Sequence, residues 1–306
     1  MATWYNVRLG ISPINWINDD MNDLGDFYEL ETVLSDMRSL GFSGTEMGRK
    51  YPRDPGRLKA LLARYGLVLT GAWKTVQFST SSDPEQELAE FQVHVQFLKQ
   101  MGAQHAVVCE GGGSLHWDAR GHRRQVEKWD DEAWMRVAAG LNRAGEYARR
   151  HGVRLVYHPH FGTNVETPEE IDRLMALTDP EVVWLLADTG HIRAGGGDPV
   201  QVIEKHISRV GYLHLKDVRP EVLHVVRKEG HSFLDGVRMG MFTVPGDGCI
   251  DFGTVFDVLR KHGYQGWMIL EAEQDPVKAD PVVYARKAKA LIQQWMEGVA
   301  EVSEKQ

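Results

Sequence analysis

The sequence predicts an α/β fold of the (β/α)8 barrel type, and three observations carry that expectation. Eight short apolar runs alternate with stretches of helical spacing along the 306 residues. Those runs are apolar throughout rather than alternating, as suits parallel strands buried on both faces. Each of the last four ends in residues able to bind a metal: RLVYHPH (Arg154–His160), VVWLLADTGH (Val182–His191), VGYLHLKD (Val210–Asp217) and GWMILEAEQD (Gly266–Asp275). A closed barrel gathers such strand ends at one mouth, and eight strand–helix repeats favour closure over an open sheet.

The elements follow in order. Strand-like runs begin near Arg8 (RLGIS), Gly44 (GTEM), Val68 (VLTGA), His105 (HAVVCE), Arg154 (RLVYH), Val182 (VVWLLA), Val210 (VGYLHL) and Trp267 (WMILE). Helical spacing over Phe27–Leu40 stops at Gly41, Asp54–Tyr65 at Gly66, and Pro84–Met101 at Gly102, each a C-cap signal. Asp130–Arg150 precedes Gly152, and Thr167–Leu177 opens with a capping Thr167 and a first-turn Pro168. Pro199–His206, Phe252–His262 and Pro281–Met296 complete the set, and Val302–Gln306 is expected to fray. No Gly-rich dinucleotide fingerprint follows the first strand, and Ala194–Gly197 (AGGG) lacks phosphate-loop spacing and reads as a turn. Two long connections, Glu110–Asp130 and Asp217–Asp251, are expected to overhang the mouth as lid or specificity wall. With no low-complexity linker, residues 1–306 read as one domain.

Composition narrows the partners. The formal charge is -8, without a Lys/Arg block, which argues against nucleic acid and anionic membrane and favours a small neutral ligand. Cys109 and Cys249 are the only cysteines and read as reduced thiols. The first ten residues carry no signal-like apolar stretch, and no run approaches the ~18 apolar residues of a membrane span, so a cytoplasmic protein is expected.

Asp188 and Glu271 offer hard oxygen ligands, and His158 and His214 offer imidazole. A mixed N/O set without thiolate suits Mn²⁺, Co²⁺, Fe²⁺, Mg²⁺ or Zn²⁺. A lone His or Asp at a strand end is usually structural, but four at four consecutive strand ends point to a metal or acid–base site. His160 lies two residues beyond His158, and the sequence leaves open which of them is the strand-five ligand. His191, in D-T-G-H, reads either as a site residue or as a histidine that orients a neighbouring carboxylate. Lys216 shares a face with His214 and suits oxyanion support or proton donation, with an ion pair to Asp217 or another carboxylate as the alternative. In the first half Glu46 ends strand two, Trp73 and Lys74 end strand three, and Glu110 ends strand four. With Asn15 and Trp16 after strand one, they supply the flat apolar and polar groups that sugar-like ligands need.

These segments resemble a known family. The order of a strand-end ligand, D-T-G-H, H-L-K-D, V-P-G-D-G-x-I-D-F and G-Y-x-G-W-x-x-x-E is similar to the xylose isomerase-like TIM barrel superfamily. Gly10–Gly25, Gly41–Gly48, His158–Thr163, Asp188–His191, His214–Val218 and Phe242–Gly248 are similar, more narrowly, to the inosose dehydratases of inositol catabolism. The resemblance implies a divalent cation, Mn²⁺ or Co²⁺, held by His158, Asp188, His214 and Glu271. It implies loss of water from 2-keto-myo-inositol to give a trihydroxycyclohexane-1,2-dione, with Glu271, His191, Lys216 and Glu46 as candidates for base, acid and oxyanion support. Asn15, Trp16, Trp73, Lys74, Glu110 and His160 would then touch substrate. The alternative is a ketose epimerase or isomerase with the same cation, and a homo-oligomer is common for such barrels. The chain departs from the superfamily at His158, where most members carry Glu, so the site has one negative charge fewer.

Overall fold

The computed structural model describes residues 6–115 and 126–303, with side chains to Met296. The middle of the predicted Glu110–Asp130 lid, residues 116–125, and the last residues of the predicted frayed tail, 304–306, lie outside the described residues.

Eight parallel strands close a barrel. They are β1 (Val7–Ile11), β2 (Gly44–Glu46), β3 (Val68–Val76), β4 (His105–Glu110), β5 (Arg154–Tyr157), β6 (Val183–Asp188), β7 (Val210–Leu215) and, after the short β8 (Asp217–Val218) and β9 (Phe242–Thr243), β10 (Gly266–Leu270). Each pairs with its neighbour in sequence, and β10 closes on β1 through Val7↔Gly266 to Ile11↔Leu270. The helices are α1 (Leu30–Ser39), α2 (Pro55–Arg64), α3 (Pro84–Met101), α4 (Asp131–Arg150), α5 (Pro168–Leu177), α6 (Thr189–Ala194), α7 (Pro199–His206), α8 (Pro220–Glu229), α9 (Phe233–Met239), α10 (Phe252–Lys261) and α11 (Pro281–Ser303).

The apolar runs become strands because both faces are covered. Inside, Val107, Val156, Leu186, Tyr212, Trp267 and Ile269 fill the barrel, with Tyr212 Oη donating to Thr70 Oγ1 at 2.7 Å. Outside, strand side chains such as Val108, Leu155 and Leu213 join helix side chains such as Phe91, Leu141 and Phe256 in a continuous mantle. Aspartates fix where helices begin: Asp54, Asp83, Asp130, Asp198 and Asp251 each accept a first-turn backbone N–H, and Thr167 with Glu170 forms a capping box.

The differences from expectation have local causes. The first helix starts at Leu30 rather than Phe27, because Gly25 adopts a positive φ of 81° and the chain turns there before Glu29 enters the helix. Strand three runs to Val76, so Trp73 and Lys74 lie within it rather than at its end. The Asp217–Asp251 connection is structured: β8 and β9 pair antiparallel, and α8 and α9 pack Leu223, Val226, Phe233 and Val237 against Phe242 as a separate small core beside the mouth. The last helix runs on to Ser303. No helix of the described residues is long and apolar enough to cross a membrane.

Gly25 also closes the β1–α1 loop on itself, since a Cβ there would lie 1.8 Å from the Trp16 carbonyl oxygen. Gly25→Ala should lower unfolding free energy by about 2 kcal/mol or more. Urea titration followed by circular dichroism checks this, and an unchanged midpoint would contradict it.

Candidate metal centre and mouth cavity

His158, Asp188, His214 and Glu271 converge at the C-terminal mouth of the barrel, one ligand atom from each lying within 4.8 Å of the others. The local sequence explains how they are held. Asp188 Oδ1 accepts the His191 backbone N–H at 2.8 Å and so caps α6, which leaves Oδ2 to face the site. Thr189 Oγ1 donates to the Lys216 carbonyl at 2.6 Å and locks α6 to the end of β7. Gly190 has no room for a side chain, because a Cβ would stand 2.5 Å from Lys216 Cγ. D-T-G-H is therefore one ligand and the residues that seat it. Asp217 of H-L-K-D is structural: it accepts from the N–H groups of Val218, Gly246, Gly248 and Ile250, folding the V-P-G-D-G turn.

The donor set fits a divalent cation. His214 Nδ1 lies 3.3 Å from Asp188 Oδ2 and 3.2 Å from Glu271 Oε1, yet it is fully buried and makes no hydrogen bond to either. His158 Nε2 lies 3.3 Å from the same Asp188 oxygen. Ligands about 2.1 Å from a shared ion stand about 3.0–3.4 Å from one another, so these spacings suit aim at a common centre. The other nitrogen of His214, Nε2, is 3.0 Å from Glu46 Oε1, the carboxylate partner that a metal-binding imidazole usually carries.

Lys216 is the fixed cation of the site. Its ammonium is fully buried, 2.7 Å from Glu273 Oε2, 2.8 Å from Glu271 Oε1 and 3.2 Å from Asp188 Oδ2. The expected ion pair is thus made with these carboxylates rather than with Asp217. Burial alone would raise Asp188 and Glu271, but for Asp188 Lys216 and His191, and for Glu271 His214 and Lys216, outweigh it and hold both well below the usual carboxylate range. Burial likewise opposes charge on Lys216 and His214, and the surrounding carboxylates overcome it and raise both. Burial pushes Glu273 up to about 7 against the pull of Lys216, raises Glu46, and drops His158 to about 4.

A second cluster adjoins the first: His160, His191 and Glu273. His160 Nε2 is 4.0 Å from Glu273 Oε1, and His191 Nε2 is 3.7 Å from Glu273 Oε2. One peptide group sets both tautomers. His160 Nδ1 donates to the Phe161 carbonyl at 2.8 Å, which leaves a lone pair on its Nε2. The Phe161 N–H donates to His191 Nδ1 at 3.1 Å, so the proton of neutral His191 sits on Nε2. A protonated Nε2 is a donor, not a ligand, and this cluster is therefore a matched acceptor and donor beside a carboxylate rather than a second metal site.

The mouth cavity, about 120 Å³ and open to solvent, is lined by the tetrad's His158, His214 and Glu271, with Glu46, His160, Glu273, Trp73, Asp19 and Asp20 among the rest. The Trp73 ring stands edge-on to His158 and His160, with centroids 5.5 and 6.0 Å away. Four expected contacts point elsewhere. Asn15 donates to the carbonyls of Ser12 and Leu270 and ties β1 to β10. Trp16 is fully buried and donates to Asp36 on α1. Lys74, on the opposite face of the pleat from Trp73, pairs with Glu90 on α3 at 3.0 Å. The Glu110 carboxylate accepts from Phe78 N, Ser79 Oγ and Gly112 N, bracing two mouth loops from behind. Glu273 was missed in the sequence; its signal was its place two residues after Glu271, on the same side of an extended chain.

A family model described as "Xylose isomerase-like TIM barrel" matches residues 34–296. The chain is 49% identical over 287 residues to an inosose dehydratase of Geobacillus kaustophilus (strain HTA426), with 93% of each chain covered. Among solved structures it is similar in fold to an L-ribulose 3-epimerase, at TM-score 0.70 and 21% identity with 97% of each chain covered. It is also similar in fold to the IOLI protein, solved with a bound zinc atom, at TM-score 0.68 and 14% identity, over 95% of this chain and 98% of that one.

Metal-stripped protein given Mn²⁺, Co²⁺ or Zn²⁺ should take up about one ion per chain and gain thermal stability in proportion to affinity. His191→Gln should leave that stoichiometry unchanged, whereas His214→Ala should abolish uptake. Two ions in the wild type, with one lost in His191→Gln, would refute the tautomer assignment; elemental analysis after desalting decides.

Proposed function

The chain belongs to the xylose isomerase-like TIM barrel family, in its inosose dehydratase branch, and from that membership we propose that the mouth site removes water from 2-keto-myo-inositol (scyllo-inosose) to give a trihydroxycyclohexane-1,2-dione. The activity is that of a hydro-lyase on a small polyol ketone of myo-inositol catabolism. The observation that supports this reading best is the buried tetrad of His158, Asp188, His214 and Glu271 beside Lys216 and Glu273 in one cavity.

Dehydration breaks a C–H bond beside the ketone and a C–O bond on the next carbon. One proton goes to a base, the hydroxyl leaves with a proton as water, and the resulting enol relaxes to the dione. His158, Asp188, His214 and Glu271 would hold the cation, with Mn²⁺ or Co²⁺ our assignment. When bound it supplies Lewis acidity toward the negative charge that develops at the ketone. Glu46 orients His214 through Nε2. Lys216 keeps Glu271 and Glu273 in place and provides positive charge beside them. Proton handling falls to two groups that face the cavity without belonging to the tetrad, Glu273 and the His160 lone pair, as acceptors, with the His191 N–H, outside the cavity lining, aimed at Glu273 as donor. This moves the proton-accepting role from Glu271, which belongs to the cation-binding tetrad, to its neighbour two residues on, which does not. Trp73 gives the ring a flat apolar wall.

The test is an assay of metal-stripped protein with scyllo-inosose, metals restored one at a time. Asp188→Asn should abolish turnover. Glu273→Gln should lower kcat by about 10²–10⁴-fold with metal content retained. Product mass separates the readings, because an epimerase or isomerase returns a product of unchanged mass.

A further inference from the structure

At the opposite end of the barrel from the mouth, where the strands begin, the floor is basic although the chain carries a formal charge of -8. A cavity of about 350 Å³ lies there, against about 120 Å³ at the mouth. Arg8 from β1, Arg154 from β5 and Arg149 from the last turn of α4 line it, and Glu181 is the one carboxylate in the described lining.

The strand register turns two of these side chains inward. Arg8 pairs with Trp267, and His105 pairs with Arg154, so they share the barrel-facing side of the pleat with the interior residues Trp267, Val107 and Val156. Arg8 stacks on the Trp267 ring at 4.3 Å and Arg154 on the Trp184 ring at 4.1 Å. Gly211 makes room for the second stack, since a Cβ there would stand 2.9 Å from Arg154 Cδ. Stacking holds a guanidinium by its face and leaves its N–H edge for a ligand. Arg8 reaches round to Gln104, beside β4, but the hydrogen bond from Nη2 to Oε1 is long at 3.5 Å. Among the described residues no carboxylate pairs with any of the three arginines. Burial lowers the pKa of Arg154, and the group that opposes this is Tyr264 rather than an acid side chain.

His105 adds an acceptor to these donors. It lines the same cavity and is 4% exposed. Its Nδ1 lies 3.1 Å from the Thr70 carbonyl, which can only accept, so the proton sits on Nδ1 and a lone pair remains on Nε2. Burial drops His105 to about 4, with Arg154 and Arg8 pushing the same way, so the ring is neutral at pH 7. Nε2 has no hydrogen-bond partner among the described residues.

We propose that this floor is a second binding site, for inorganic phosphate. The two stacked guanidinium edges suit the oxygens of an oxyanion. Hydrogen phosphate also keeps a P–O–H, which can donate to His105 Nε2. Sulfate has the same shape and charge but lacks that hydrogen, and a site built around a hydrogen bond rejects a ligand that cannot make it. The site is independent of the chemistry at the mouth.

Equilibrium dialysis of the metal-loaded protein against radiolabelled phosphate at pH 8 tests this. One phosphate per chain should bind and should persist after the metal is chelated, whereas phosphate held by a cation at the mouth would leave with it. Sulfate and methyl phosphate, both doubly charged at pH 8 and without a donor hydrogen on the oxyanion, should compete at least roughly ten-fold more weakly. Arg8→Gln with Arg154→Gln should weaken phosphate binding at least roughly ten-fold with the circular dichroism spectrum unchanged. Arg154→Gln alone, which keeps the Arg8 stack, should give part of that loss and guards against damage to the fold. His105→Phe should bring phosphate and sulfate to similar affinity. No phosphate retained after chelation, retention undiminished in the double variant, or sulfate binding the wild type as tightly as phosphate would each overturn the site.

Discussion

Charge neutrality in a nearly dry barrel mouth is the constraint on which the rest depends. Asp188, Glu271 and Glu273 sit together with almost no exposure, and buried carboxylates persist only beside cations or donors. Lys216 answers all three at once. The two short motifs of the second half serve that arrangement: one places Asp188 and clears space for the lysine stem at Gly190, and the other puts His214 and Lys216 on one face of a strand end. Because Asp188 spends one oxygen on capping α6, the remaining oxygen has a fixed direction, and the helix and the site cannot be altered independently.

An imidazole rather than a carboxylate at position 158 fits the same balance. Asp188 and Glu271 carry two formal negative charges, enough to neutralise one divalent cation, while Glu273 is matched by Lys216. A third carboxylate in the tetrad would leave an excess charge in a place where water cannot screen it. Imidazole keeps the ligand and drops the charge.

The barrel was legible because buried parallel strands write themselves as unbroken apolar runs, and all eight were found. The tetrad was legible because strand ends are shared ground in a barrel. What the sequence hid was orientation. Trp73 and Lys74 are adjacent, and only the pleat decides that one faces the mouth and the other a helix. Trp16, Asn15 and Glu110 have the chemistry of ligand contacts, but each has backbone groups or, for Trp16, the half-buried Asp36 carboxylate within reach that claim it first. Glu273 was passed over although it repeats Glu271 at the strand period. The two helices and the small sheet between Asp217 and Asp251 were read as loop because their elements are short and their small core is assembled from beyond the segment, by Met21, Leu24 and Ala194.

The two histidines beside Glu273 take their opposite proton arrangements from one stretch of main chain, the N–H and C=O of residue 161. Evolution can therefore exchange the phenyl group at that position for many others without disturbing what the pair offers to a ligand. Proline is the exception, since it alone lacks the hydrogen that fixes His191. Identity drifting at residue 161, with imino acid avoided, is the pattern such an arrangement would leave in related sequences.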